Sequence, residues 1–488
     1  MEKLVKNSKE IINKIKNDFQ DFPDLIIKTL TYSNTYLHLV FNETISERTT
    51  INKFILSFLE REPEEKIEEE DLLKYLKTKI PINNIKKTKS YQELTTFLTS
   101  GLTILIIDGF DEVLILETKA GLNSPISEAQ LESTIKGPQD SFVENYQTNL
   151  GLIRSRIKDS NLKLKELIVG VRSQTKIGIM YIKDIVDLNM VQNVINKIES
   201  INIDAILDAN YIIELISDNK YKTFANYLPT ERPDRVCSSL LEGKIAIVLD
   251  NTPSVVLIPA IFVDFFRSPD DYYQKAINVN YTRIIRLIAL FLTLFTPALY
   301  IAITTHNQEA IPQQLYISFA TQRQGVPFPT VVEALIMLII FEILKETDLR
   351  IPKNLGSALS IVGALVLGEA AVTAGLVSPI MIIVIAITAI SGLIVSNMEL
   401  VNGLRWWRLL FIFLVSFIGI TGLLAGTFLF LTYLASIESF GISYLSPYTP
   451  INLKNQHDAF LLTNVAKFQE RNVLTAKKNP LRGKDQKK

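Results

Sequence analysis

The sequence predicts an α/β amino-terminal region of two subdomains followed by an α-helical transmembrane bundle. Residues 1–280 mix charge with hydrophobicity as a water-facing protein does, whereas 284–437 contains long stretches with almost no charge. Short apolar runs bounded by turn residues recur in the first part, the pattern of β-hairpins. Apolar segments of about 20 residues, enough to cross a hydrocarbon core, recur in the second. At 488 residues the chain exceeds one ordinary domain. The reading divides it into a first subdomain (1–120), a second (121–280), membrane helices (281–440) and a basic cytoplasmic tail (441–488).

Residues 1–20 read as an amphipathic helix with Leu4, Ile11, Ile12, Ile15 and Phe19 near one side. The stretch lacks the compact apolar core and cleavage site of an export peptide. Helical patterns follow at 44–60, 70–78 and 91–100, around a charge run at 60–71 read as a solvated loop. The period then changes: the apolar runs 102–107 and 113–116 flank Asp108-Gly109-Phe110-Asp111, a buried hairpin. Two more strands are expected at 167–171 and 177–181, helices at 140–159, 187–200 and 208–217, and a hairpin of 245–249 with 255–261. No repeat is visible. The aromatic stretch 262–273 reads as a chain arriving at a lipid interface.

Four segments are long enough to span: 284–304, 356–377, 379–396 and 409–437. A fifth, 331–346, carries Glu342 and Glu346 on one face and Glu333 on the opposite one. Carboxylates on both sides are costly in lipid, so this helix is sheltered, lines water or lies at the interface. Arg283 and Arg286 precede the first span, and the tail from Lys454 carries nine Lys/Arg against three Asp/Glu. Both ends are therefore expected in the cytoplasm, with an even number of crossings. Four crossings are favoured, at the cost of placing Arg405 and Arg408 on the outer side. Six, with 331–346 spanning and a re-entrant return after 409–437, is the competing count.

Glu369 is the sharpest candidate, far from either end of an otherwise uncharged segment and beside a small-residue stripe of Ser360, Ala364 and Gly368. It marks an ion or substrate path, or else is a protonated carboxyl tying two helices. Glu342 and Glu346 are candidates for the same polar route, or for an ion pair with Arg350. Glu333 follows a Pro-Phe-Pro turn, where the helix dipole favours a carboxylate. Gly422 and Gly426 form a GxxxG helix-packing face, and Trp406, Trp407 and Arg408 are interface anchors.

No phosphate loop, HExxH, GxSxG or cysteine pair is present, and His38, His306 and His457 are scattered. No catalytic, metal or cofactor site is expected, and the chain reads as a non-enzyme. Balanced charge (51 Lys+Arg, 51 Asp+Glu) argues against a nucleic-acid partner. Cys237 is the one cysteine, read as a buried thiol on a reducing side. Residues 137–140 (GPQD) read as a helix-entry turn.

Several phrases together resemble the GerA family of spore germination proteins: IDGFDEVLILETK (107–119), IKGPQDSFVENYQTNLGLIRSRIK (135–158), TERPDRV (230–236), IPAIFVDFFRSPDDYY (258–273), GVPFPTVVEAL (325–335), FEILKE (341–346) and IVGALVLGEAAVTAGLVSP (361–379). They cover roughly residues 100–400 in the family's order. One departure is 396–400 (SNMEL), where many relatives carry a proline. The resemblance implies the A subunit of a nutrient germinant receptor in the spore inner membrane. Its partners would be a transporter-like B subunit, a lipoprotein C subunit, further copies of itself and membrane lipid, and its role ion-conducting or signalling. Two alternatives are a stage V sporulation protein AF-type paralogue that amplifies ion release without sensing nutrient, and a secondary transporter.

Overall fold

The computed structural model describes residues 3–61, 71–120, 132, 134, 136–217, 222–350, 368–395, 397–451, 458–463, 470–472 and 474–482. It comprises two units: Met1–Lys220 with Tyr227–Pro259 and Phe468–Lys488, and Tyr221–Asn226 with Ala260–Lys467.

The first unit holds two antiparallel five-stranded sheets. Helix α1 (Ser8–Asp18) starts on Asn7, whose side chain accepts from the Lys9 N–H, and buries Ile11, Ile12 and Ile15. β1 (Leu25–Tyr32) and β2 (Thr35–Asn42) form a hairpin. Ser33 and Asn34 turn it at φ of 49° and 63°, the positive values a two-residue hairpin turn requires. Then come α2 (residues 48–59, with a π-helical turn at Ile51–Leu56), α3 (Leu72–Lys79), β3 (Ile85–Thr88), α4 (Tyr91–Thr99), β4 (Thr103–Ile107) and β5 (Val113–Leu116). Leu105 and Ile107 of β4 join a core with α2 and α3, while Ile104 and Ile106 join one with α1 and α4. Burial on both faces explains why this strand reads as an unbroken apolar run.

The second sheet follows from α5 (Tyr146–Arg156), β6 (Leu162–Val169), β7 (Thr175–Ile182), α6 (Leu188–Glu199), α7 (Ala209–Ile216), β8 (Leu228–Thr230), α8 (Pro233–Leu241), β9 (Ile245–Leu249) and β10 (Val255–Ile258). The strand orders are β1-β2-β4-β5-β3 and β6-β7-β9-β10-β8. Element for element, the second subdomain duplicates the first: helix, hairpin, two helices, edge strand, helix, hairpin. That corrects the sequence reading, which saw no repeat; the duplication lies in connectivity rather than in residues.

Arg154 of α5 joins the subdomains. Its Nη2 donates to Asp24 Oδ1 at 2.7 Å, its Nε lies 2.5 Å from Asp24 Oδ2, and its guanidinium lies 3.6 Å from the Phe22 ring centroid. The tail also belongs to this unit. Arg471 Nε donates to Leu241 O (2.8 Å) and Thr475 Oγ1 to Glu242 O (2.5 Å), supplying donors to carbonyls at the end of α8 that have no intrahelical partner. Lys477 pairs at 2.6 Å with Asp187, the residue capping α6. Gly243 permits this approach, since a Cβ there would lie 2.7 Å from Thr475 O.

In the second unit, α9 (Phe262–Phe266) is fully buried, and its phenylalanines pack on Tyr444 and Phe460. The aromatic stretch is therefore core at this point, not lipid surface. α10 (Ala276–Ile301) continues through a π-helical turn to His306, followed by α11 (Gln313–Gln322), α12 (Thr330–Arg350), α13 (Pro379–Ile394) and α14 (Met398–Ser436). Among the described residues, Ala276–His306 and Met398–Ser436 are long and apolar enough to cross a membrane.

α14 is broken at Ile418 and Gly419 (φ −130° and 58°), and the chain doubles back. Trp407 meets Tyr433 at 5.0 Å between centroids, and Gly426 lies against the Phe411 ring. The run 409–437, which reads as one span, thus contains a hairpin turn. The turn carries no polar signal of its own because α10 supplies the partners. Asn307 Oδ1 accepts from the Ile420 N–H (3.0 Å), and His306 Nε2 donates to Ser416 O (3.0 Å). A Cβ at residue 419 would lie 2.5 Å from Asn307 Oδ1, so glycine is required for space as well as for φ.

Cross-contacts fix the helix directions. Phe295 meets Phe411 (5.0 Å) and His306 meets Ser416, so α10 and the first arm of α14 run parallel. Thr293 reaches Thr388 O (3.5 Å), while Tyr300 faces Ser378, so α13 runs antiparallel to α10. α12 starts on Ser378 through Glu333 and proceeds to Arg405 and Arg408 through Glu342, away from the His306 end.

Candidate functional site

The polar centre of the helical unit forms around Glu333, in the first turn of α12. The side chain is fully buried. Its Oε1 accepts from the backbone N–H of Ser378 (2.5 Å) and from Ser378 Oγ (2.6 Å). Ser378 in turn caps α13 by accepting from the Met381 N–H. The carboxylate therefore sits at the positive end of α13, where a helix N-terminus stabilises negative charge. Its other oxygen, Oε2, lies 4.0 Å from Arg323 Nε.

Glu333 Oε2, Arg323 Nε, Thr330 Oγ1 and Tyr300 Oη are all buried with no hydrogen bond among the described residues. Thr330 is one helical turn from Glu333 on the same face, and Tyr300 faces Ser378, Glu333 and Arg323. A buried polar atom without a partner costs about 1–3 kcal/mol. Such atoms around Glu333 mark it as an incompletely paired polar centre among the described helices.

The other acidic candidates occupy different environments. Glu342 is clamped by Arg405 Nη2 (3.1 Å) and Arg408 Nη2 (3.3 Å). Glu346 is exposed, and its expected partner Arg350 has a side chain outside the described residues. Glu369 is exposed too, and its helix gives way five residues on to a turn at 374–375. Glycine at 375 (φ 67°) turns the chain there, ahead of the Ser378 cap. Ser360 and Ala364 lie outside the described residues; a Cβ on Gly368 would make ordinary contact with Ile382 of α13. At Gly422 a Cβ would stand 2.5 Å from Leu414 O, and at Gly426 2.7 Å from Phe411. Sequence reasoning did not single out Arg323, Thr330, Tyr300 or Ser378, although Thr330 and Ser378 fall within the family-like phrases 325–335 and 361–379.

In the first unit, Arg232 is buried and its Nη2 donates to Pro138 O (2.7 Å), tying the GPQD turn to α8. Burial, against weaker nearby charges, pushes the Cys237 thiol up to about 12, leaving it protonated. A cavity of about 350 Å³ is lined by Lys9, Asn13, Lys16, Thr29 and His38.

The model of the Bacillus/Clostridium GerA spore germination proteins matches residues 13–474. This chain belongs to the GerA family. It is 37% identical to spore germination protein KA of Bacillus subtilis over 97% of this chain and 88% of that one. It is also 37% identical to the B. subtilis membrane protein YfkQ over 79% of this chain and 75% of that one. Among solved structures, the N-terminal domain of the A subunit of the Bacillus megaterium spore germinant receptor GerK3 aligns over 54% of this chain and 98% of its own, at 26% identity and a TM-score of 0.43. For a GerA-family member, then, the acidic candidates separate into one buried, incompletely paired group (Glu333), one held by two arginines (Glu342) and two exposed (Glu346 and Glu369).

Proposed function

We propose that this GerA-family chain is the A subunit of a spore nutrient germinant receptor, held in the membrane with B-type and C-type subunits and further copies of itself. In this reading it takes part in nutrient-triggered germination as an ion-conducting or signalling subunit, and Glu333 is its working polar centre. The family match along nearly the whole chain supports the assignment, and the buried carboxylate with an unshared oxygen supports the polar centre.

The helix directions favour six crossings over four. α10 and the first arm of α14 run one way; α12, α13 and the second arm run the other. The apolar segment 356–377, which the sequence reads as a span, lies largely outside the described residues. An even count agrees with the chain leaving the first unit at Pro259 and rejoining it at Phe468. Arg405 then lies thirteen residues, about 20 Å, from the hairpin tip and toward the Arg283 side. The violation of the positive-inside rule that four crossings imposed is removed.

The test is potassium release from spores exposed to nutrient. Glu333→Gln keeps the shape and an acceptor for Ser378 but discards the charge facing Arg323. Release should be lost, with normal protein levels by immunoblot. Glu369→Gln, at an exposed position, should leave release unchanged. Normal release in Glu333→Gln would remove it as the working group.

A further inference from the structure

A second charged cluster lies between α12 and the first arm of α14. Arg405 and Arg408 hold Glu342, and Lys345 shares their electrostatic neighbourhood. Among the described residues, and counting the exposed Glu346 one turn on, three cations stand beside two carboxylates. The excess is a single positive charge, the complement of one phosphodiester. Arg408 is 6% exposed, and its Nε is buried without a hydrogen-bond partner among the described residues. A guanidinium normally uses its fork of donors in full.

The surroundings are those of a lipid boundary. Level with the cluster, Trp407 donates to Thr223 Oγ1 (3.2 Å) on a polar loop, and Trp406 is 65% exposed. From Arg405 toward the hairpin tip, Leu409 and Phe413 continue the same helix face, and both are exposed. Ile339 and Ile343 are exposed on α12 beside Glu342. A cationic group thus heads an apolar lane directed into the layer.

We propose that this cluster binds the headgroup of an anionic phospholipid, with Arg405 and Lys345 on the phosphodiester and the acyl chains along Leu409, Phe413, Ile339 and Ile343. The proposal rests on the membrane placement above and is independent of the role given to Glu333. The apolar lane identifies a lipid rather than a free phosphate, which would have no use for it.

Of the chain's two tryptophans, Trp406 is exposed next to Arg405 and reports on the site, while Trp407 packs on Phe430 and Tyr433 of the second arm. The full chain is reconstituted into phosphatidylcholine vesicles containing equal small fractions of either brominated phosphatidylglycerol or brominated phosphatidylcholine. Phosphatidylglycerol should be enriched at the site about fivefold for each cation engaged, and quench correspondingly more. Arg405→Gln and Lys345→Gln should each reduce that preference by about the same factor and leave quenching by brominated phosphatidylcholine unchanged. Equal quenching by the two lipids in the unmodified chain, or a preference that survives both substitutions, overturns the proposal. Loss of the preference on adding inorganic phosphate, but not chloride of equal ionic strength, reassigns the site to soluble phosphate and overturns the lipid assignment. Uniform quenching by both lipids would still place the tryptophans in the membrane, so failure here is distinguishable from failure of the membrane reading.

Discussion

Replacing Asp24 by Asn should destabilise the joint between the two α/β subdomains far more than any surface substitution there. Arg154 and Asp24 are each 3% exposed, joined in a two-point fork, and Asp24 Oδ2 also accepts from Thr44 Oγ1 (3.1 Å). Burial alone pulls the Arg154 guanidinium below its ordinary value, and the Asp24 charge opposes that. With Asn in place the guanidinium stays buried without its counter-charge, which costs about 3–5 kcal/mol. Opening of the α5–β6 region should then become about two to three and a half powers of ten more frequent. Amide hydrogen exchange on the whole chain, read over residues 146–169, measures this directly. The double change Asp24→Leu with Arg154→Met should cost much less than the single one, because an apolar pair replaces both charges together. An increase below about tenfold in Asp24→Asn, or a double variant as open as the single, would refute the reasoning.

His38 is held below its ordinary 6.5 mainly by burial, helped by Lys16 and Lys9 and opposed by Asp108. The unfolded chain therefore takes up the proton first. The stabilisation is full above pH 6.5 and is lost as pH falls through the lower folded value. NMR titration of the histidine ring should show a His38 midpoint below 6.5; a midpoint at or above that value contradicts the assignment. In the α14 hairpin, Gly422→Ala should be worse than Gly426→Ala. The first Cβ meets a backbone oxygen, the second an aromatic ring that can shift, and overpacking costs about 1–3 kcal/mol. Thermal unfolding in detergent ranks the two, and the reverse order would exclude tight packing of the arms at Leu414.

Legibility followed the physics of each element. The hairpins at β4–β5 and β9–β10 stood out because burial makes each strand an apolar run and Asp, Gly or Asn punctuates the turns, whereas of β6, with its lysines and half-exposed end, only the last residues were read as strand. β1–β2 was missed although its turn is as ordinary: its first strand is half-exposed, so the apolar signal is diluted by lysine and threonine. The duplicated subdomain leaves no trace, since strand order depends on which edges pair. In the helical unit the carboxylates were legible as anomalies, but their partners were not. Ser378, Tyr300 and Thr330 are unremarkable residues until folding brings them to Glu333.

The same point bears on how far charges beside spans indicate direction. Arg283 and Arg286 are buried on Asp271, and Arg283 also on Asp458, at 2.9 Å. Arg405 and Arg408 enclose Glu342, and Arg323 stands by Glu333. In a layer with little water, an arginine is tolerated where a carboxylate from another segment meets it. Such a charge is spent on holding two segments together and says less about which side of a membrane its helix end faces. Direction is carried instead by the contacts that admit only one alignment: Phe295 on Phe411, His306 on Ser416, Thr293 on Thr388. These turn what reads as a single terminal span into two arms. They put Arg405 and Arg408 toward the Arg283 end of α10, and leave Glu333 and Arg323, at 4.0 Å, with a Glu333 oxygen that has no hydrogen bond among the described residues.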